Sequence, residues 1–273
     1  VVTRALARGV PTLTAEFNER TARNIAKEFG KAKVIGGANC LAHIDDIHSV
    51  LKGVGVLLAK DGIFWVECNY WPGMVKEKHY ALIYHDHYSY FSLKNWINIT
   101  AMHGLEVFDA YVTEAQGEGL SLRLYAGYNK KMTQRCWYLL EEDKKYNNYE
   151  TARRYCVEVL NEAKKLGSLV KGLKGVVAGY GAAAKGFSIL KLAGLDGMDI
   201  KFLVDDSPAK QGKYSPVTHI PIISRAEAEN DLPDYFIILA PNYASLIMEK
   251  EKDSEFRRRG GKFIVPIGDI QIV

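Results

Sequence analysis

The sequence predicts an α/β protein built in two parts, and three observations carry that expectation. Short apolar runs with the look of buried parallel strands alternate with helical stretches in the first half. The same alternation restarts in the second half. Between them, residues 131–166 contain neither Gly nor Pro and are rich in charge, the signature of one or two helices at a domain junction. A length of 273 residues suits one to two domains of about 100–200 residues each. The expected cuts fall at 130 and 167, with residues 131–167 as a solvated helical connector.

Element by element, residues 14–29 place Phe17, Ala22, Ile25, Ala26 and Phe29 at near-helical spacing. Ala32 to Ala38 is a short apolar run ending in small residues, a buried parallel strand. Residues 45–59 return to helical spacing through Ile47, Val50, Leu51, Val54 and Leu58, and Gly62 to Cys68 is the next strand. After a Trp-Pro-Gly loop and the tract 79–92, residues 93–103 read as helix. Residues 105–108 and 121–125 alternate like antiparallel strands that close a sheet. In the second half, strands are expected at 174–178, 200–204, 236–240 and 263–266, with an apolar helix running to Leu192 after the first. No internal repeat or low-complexity tract is present.

Composition narrows the function classes. A net charge of +4, 25% charged and 48% apolar residues exclude a disordered chain, a coiled coil and a fibrous repeat. That charge calls for no nucleic-acid partner, though it is compatible with a local phosphate pocket. No apolar run approaches the ~18 residues of a membrane span. Cys40, Cys68, Cys136 and Cys156 lie far apart with no CxxC pair, which suggests neither a disulfide scaffold nor a zinc site and points to a reduced, cytoplasmic setting. The chain opens Val1-Val2-Thr3-Arg4, without Met or a signal-peptide pattern, and reads as the later part of a longer polypeptide.

Two local patterns could carry chemistry. Gly179-x-Gly181-x-x-Ala184 follows a strand, opens a helix and precedes a second strand that ends in Asp205-Asp206. Such a loop lets backbone N–H groups and the helix dipole face an anion, with Lys185 adding charge, and Asp205 or Asp206 could hold ribose hydroxyls in a nicotinamide site. The same glycines could equally serve helix-on-sheet packing. The second pattern is Tyr84-His85-Asp86-His87-Tyr88-Ser89-Tyr90-Phe91. An imidazole beside a carboxylate among aromatic rings suits a general base with a Tyr84 hydroxyl partner. A strand presenting His85 and His87 on one face to a metal, and simple aromatic packing, are the rival readings. Asn39 and His43 follow a strand at its ligand-binding end, where they could also be a helix cap and a core histidine.

Taken together, four blocks resemble the sugar C-methyltransferases, enzymes that methylate carbon in nucleotide-linked keto-sugars with S-adenosylmethionine. The blocks are Ala38 to Ile44, Tyr84 to Ser92, Gly179 to Gly186, and Asp205 to Tyr214 continuing through His219-Ile220-Pro221. Their order and spacing match over essentially the whole chain. The resemblance implies an incomplete class I methyltransferase-like sheet in residues 1–130, the connector, and a Rossmann-like domain in residues 168–273. It places a zinc-binding domain, the first Gly-rich strand-turn and its following acid before Val1. Zinc is accordingly expected only there, and no metal in this chain.

By resemblance, His87 is the base that forms an enolate beside a ketone, and Tyr84 and Asp86 position it or handle the oxyanion. Ala38, Asn39 and His43 stand at the methyl donor. Gly179, Tyr180, Gly181, Lys185, Asp205, Lys210 and Lys213 are expected to hold the nucleoside-diphosphate sugar. The family commonly has Glu where Asp86 stands, and Gly-Gly-Ser where this chain has Gly119-Leu120-Ser121, so that Leu120 is expected to crowd the sugar. Two other functions remain open on the residues: a non-catalytic nucleotide-sugar binding module, and an NAD(P)-dependent oxidoreductase using the Gly179 loop.

Overall fold

The computed structural model describes residues 2–114 and 120–273, so Val1 and Gly119 of the sequence reading lie outside the described residues. The chain divides into two compact units. The first comprises residues 1–68, 91–112 and 122–143, and the second comprises residues 69–90, 113–121 and 144–273. Its first elements are α1 (Val2–Ala7), α2 (Glu19–Phe29), β1 (Ala32–Ala38), α3 (Ile47–Leu57), β2 (Leu58–Asn69), α4 (Trp71–Lys76), α5 (Leu93–Ala101), β3 (Glu106–Glu114) and β4 (Leu120–Gly127). There follow α6 (Gln134–Asp143), α7 (Tyr149–Gly172), β5 (Val177–Tyr180), α8 (Ala184–Ala193), β6 (Leu203–Val204), β7 (Ile222–Ile223), β8 (Tyr235–Ile238), α9 (Ala244–Glu251), α10 (Glu255–Arg258), β9 (Lys262–Val265) and β10 (Gln271–Ile272).

The first unit is organised by a four-stranded sheet in the order β1-β2-β4-β3, with β1 parallel to β2. Its helices begin where the sequence supplies caps. Asn18 accepts the Thr21 N–H ahead of α2, and Asp46 accepts the Ser49 N–H ahead of α3. Ser92 and Asn95 form a reciprocal capping box on α5. Asp143, fully buried at the end of α6, also accepts the Leu93 and Lys94 N–H groups at 3.1 Å each. Those first-turn donors have no partner within the helix, so a buried carboxylate there is well placed. Leu51, Val54, Phe64, Val66, Trp96, Leu122 and Leu124 are buried. The Trp96 indole N–H donates to Cys68 Sγ at 3.3 Å, and burial raises the Cys68 thiol to about 12.

The second unit carries a six-stranded sheet, β10-β9-β8-β5-β6-β7, parallel except for β10 against β9. With β5 central and the chain winding outward on both sides, this is the Rossmann-like arrangement expected from the sequence. Its core joins Val177, Ile189, Leu203, Ile237 and Ile264 with Tyr80 and Ala81 from far earlier in the chain. The Tyr80 hydroxyl donates to the Pro266 carbonyl at 3.3 Å. The linear cut at 130 therefore does not describe the compact units, because residues 69–90 belong with the C-terminal core. The tract expected as a solvated connector is two helices, α6 in the first unit and α7 in the second. On α7, Thr151, Tyr155, Val159, Ala163, Leu166 and Val170 are buried at three- and four-residue spacing, so it packs as a core helix.

Candidate active site

In the first unit, β1 ends at a cavity of about 670 Å³. Phe17, Ile35, Leu41, Val50 and Phe64 give it apolar walls, and Glu16, Asp45 and Asp46 bring carboxylates; among the described residues neither Lys nor Arg lines it. That charge pattern favours an uncharged or cationic ligand over an anion. Of the three residues expected at the methyl donor, His43 lines the cavity. Ala38 is exposed and pairs in register with Glu67, and Asn39, at φ 50°, donates its backbone N–H to the Glu67 carbonyl. The pair thus completes the strand end rather than the cavity wall. Glu16 and Phe17 were not expected there from sequence; they precede the Asn18 cap of α2, and that cap was the available signal.

In the second unit, the tract containing the two histidines is neither strand nor helix. A single 3₁₀ turn over Tyr80–Leu82 leads into turns and loop. His87 is half-buried and the Tyr84 ring lies tilted against it, at a centroid distance of 4.2 Å and an interplanar angle of 38°. Tyr90 meets the same ring edge-on at 6.0 Å. His87 Nδ1 lies 2.8 Å from the Leu82 carbonyl, and Nε2 lies 3.0 Å from the Tyr84 hydroxyl. A carbonyl only accepts, so Nδ1 carries the proton and Nε2 presents its lone pair to the Tyr84 O–H. This is a base-ready tautomer fixed by the backbone.

Asp86, expected to position His87 or to handle the oxyanion, meets the neighbouring His85. It lies 3.1 Å from His85 Nε2, and the two side chains are 58% and 83% exposed. The adjacent side chains diverge because the segment is a turn. The orienting group is the Leu82 carbonyl, which no side-chain pattern announces. The geometry also removes the shared strand face on which His85 and His87 would have met a metal.

The glycine loop after β5 is arranged for packing. A Cβ on Gly179 would lie 2.5 Å from Leu203 Cδ2, and one on Gly186 would lie 2.7 Å from the Leu239 carbonyl oxygen. Two of the loop's donors are taken: the Gly181 N–H by the Val204 carbonyl at 2.7 Å, and the Ala182 N–H by Asp205 Oδ2 at 2.8 Å. Asp205 also accepts from the Ser207 N–H and the Lys210 ammonium at 3.0 Å each. Tyr180 points elsewhere, donating its hydroxyl to buried Glu251 at 2.9 Å, and Glu251 is gripped by Arg225 through bonds of 2.9 and 2.7 Å. Lys185 is half-buried and Lys213 is exposed. Within the expected diphosphate cradle of Gly179, Tyr180, Gly181, Asp205 and Lys210, the Asp205 carboxylate meets the Ala182 N–H and the Lys210 ammonium of the chain itself.

Leu120, expected to crowd the sugar, packs on α4, where a Cβ on Gly73 would lie 2.6 Å from Leu120 Cβ.

An α/β chain with a Rossmann-like second unit and a backbone-oriented histidine defines a class of enzyme-like architectures, and comparison with known proteins narrows it. Residues 116–268 match the family described as the C-methyltransferase C-terminal domain. The chain belongs to that C-methyltransferase family. It is 36% identical over 272 residues to C-methyltransferase NovU of Streptomyces niveus, a match covering 97% of this chain and 64% of that protein. The chain thus spans 64% of the length of this curated relative. Among solved structures, a complex of the Haloferax volcanii Trm112 methyltransferase activator with a methyltransferase matches over 38% of this chain and 57% of that one, at TM-score 0.30 and 12% identity. An O-methyltransferase family protein from Burkholderia thailandensis matches over 47% and 39%, at TM-score 0.32 and 16% identity. Neither likeness bears on what the chain does.

Proposed function

We propose that this chain belongs to an S-adenosylmethionine-dependent C-methyltransferase acting on a nucleoside-diphosphate keto-sugar. The observation that carries the reading is the His87 tautomer. Nδ1 is committed to the Leu82 carbonyl at 2.8 Å, which leaves Nε2 as the proton acceptor. His87 takes the proton from the carbon beside the keto group. In doing so it gives up its bond to Tyr84 at Nε2, and the released phenol turns its O–H to the developing enolate oxygen. The rings of Tyr84 and Tyr90 flank the imidazole.

The cavity at the end of β1 suits the methyl donor on chemical grounds. Phe17, Ile35, Leu41 and Phe64 can sandwich an adenine ring. Glu16 and Asp45 can accept from hydroxyl or ammonium groups, and His43 stands at its edge. When bound, S-adenosylmethionine supplies an electrophilic methyl group on a sulfonium centre. No helix among the described residues is long and apolar enough to cross a membrane. A cytoplasmic enzyme with a small-molecule substrate, needing no nucleic acid, is the corresponding proposal.

The test is His87→Asn in the protein as the cell makes it. Methyl transfer to a nucleoside-diphosphate keto-hexose is expected to fall by about 10²–10⁴-fold, the range for a positioned general base. Calorimetric binding of S-adenosylhomocysteine should be unchanged. Turnover within about threefold of the wild type removes His87 from the base role.

A further inference from the structure

We propose that Asn69 and Ser121 form a subsite that receives one hydroxyl group of the substrate. This deepens the sugar methyltransferase reading and rests on it. Asn69 is the last residue of β2 and Ser121 is the second residue of β4. The Tyr70 N–H donates to the Leu120 carbonyl at 3.3 Å, which sets the flanking residues Asn69 and Ser121 on adjoining strand ends. The Gly73–Leu120 contact clamps α4 against the same place. Because β2 runs parallel to β1, Asn69 stands at the carboxyl end of a parallel pair, where α/β sheets bind ligands.

Both side chains are buried, Asn69 at 9% exposure and Ser121 at 0%. Asn69 Oδ1 and Ser121 Oγ are buried without a hydrogen-bond partner. Buried polar atoms are paired in the great majority of cases, and leaving two neighbouring ones unpaired costs free energy that Ala or Leu at these sites would not. Two orphans on adjoining strand ends define their complement. Asn69 Oδ1 can only accept, so the missing group must donate; the Ser121 O–H can donate, so the same group can accept. An alcohol does both through a single oxygen, whereas a keto oxygen or a methyl group cannot. The chemical class is therefore a polyhydroxylated ring with one hydroxyl inserted at this point. Like His87, both residues belong to the second unit.

The experiment compares wild type, Ser121→Ala and Asn69→Leu by melting temperature without ligand. It also measures affinity for a nucleoside-diphosphate keto-hexose and for its monodeoxy analogues. Melting temperatures of the variants are expected to equal or exceed that of the wild type, since no bond is lost. The dissociation constant for the full sugar should rise about tenfold or more in either variant, and one monodeoxy analogue should bind wild type and variants alike. A fall in melting temperature in both variants overturns the proposal, because the two groups then satisfy a fixed internal partner such as a structural water. Equal weakening for every analogue overturns it as well. If the full sugar binds the wild type but is not methylated with S-adenosylmethionine present, the methyltransferase reading falls and the subsite stands. If the sugar does not bind at all, both fall.

Discussion

Two parallel strands of this chain end in the same kind of residues, yet their ends do opposite things. β1 closes on Gly36-Gly37-Ala38 and opens into a cavity with apolar walls and acidic edges. β5 ends in Gly179-Tyr180 and leads into Gly181; their surroundings are filled by Leu203, Leu239 and Ala240, and the N–H groups of Gly181 and Ala182 go to Val204 and Asp205. Small residues permit close approach at a strand end. What makes the approach is decided by neighbouring elements: at β5 the chain's own side chains, at β1 nothing that fills the space. A glycine pattern therefore marks where the backbone can be approached, and only the surrounding packing tells whether a ligand does it.

The sharpest way to break this contrast is to attack the knot beneath β5. Tyr180 and Arg225 both bind Glu251, whose side chain is 4% exposed. Burial is the largest influence on that carboxyl and pushes it up. The bonds from Arg225 and Tyr180 together outweigh it and hold Glu251 below the ordinary carboxylate range. Arg225→Ala leaves a buried charge uncompensated and should cost about 3–5 kcal/mol. Since the folded value is depressed, this stabilisation is present above the unfolded carboxyl value of about 4.3 and is lost as pH falls through the folded one. In Arg225→Ala, burial is opposed only by the hydrogen bonds from Tyr180 and Ser254, and acid unfolding should begin at higher pH. Melting curves between neutral pH and about pH 3 check both; a variant as acid-stable as the wild type shows that β5 is not anchored this way.

The next test lies at β1. Ser49, on α3, lines the cavity. Ser49→Trp should fill the space and weaken S-adenosylhomocysteine binding by about 100-fold, roughly 2.7 kcal/mol, with the fold retained by circular dichroism. Unaltered binding would mean that the open strand end is not the donor site.

Much of this architecture was legible in the sequence. Periodicity locates α3 through Val50, Leu51 and Val54, and α5 begins at the Ser92 cap. The Asn39-to-His43 stretch was legible as a ligand-side strand end, although only His43 of the expected trio reaches the cavity. Other features were not legible, each for a physical reason. Tyr80 joins the second core across 186 residues, and no local pattern reports so distant a contact. The Leu82 carbonyl orients His87, and a backbone acceptor has no side-chain identity to read. Asp205 was visible as an acid at a strand end, but its turn back onto Ala182 depends on the paths of two strands.

Asp205 also gives the smallest and most discriminating test of the contrast. Asp205→Asn keeps one oxygen, which can accept the Ala182 or the Ser207 N–H but not both, and removes the charge that pairs with Lys210 at 3.0 Å. Lys210 is 42% exposed, so solvent screening leaves that pair worth no more than about 1 kcal/mol. The melting temperature should drop by a few degrees, the lost backbone bond adding about 0.5–1.5 kcal/mol. If the loop is a packing device, a nucleoside diphosphate protects wild type and variant equally against thermal unfolding. If the loop were a phosphate cradle blocked by its own carboxylate, losing that charge would unmask it. Nucleoside diphosphate would then raise the melting temperature of Asp205→Asn above that of the wild type. That outcome would restore to β5 the ligand-binding role that Asp205 now occupies, and the difference between the two strand ends would become one of occupancy instead of architecture.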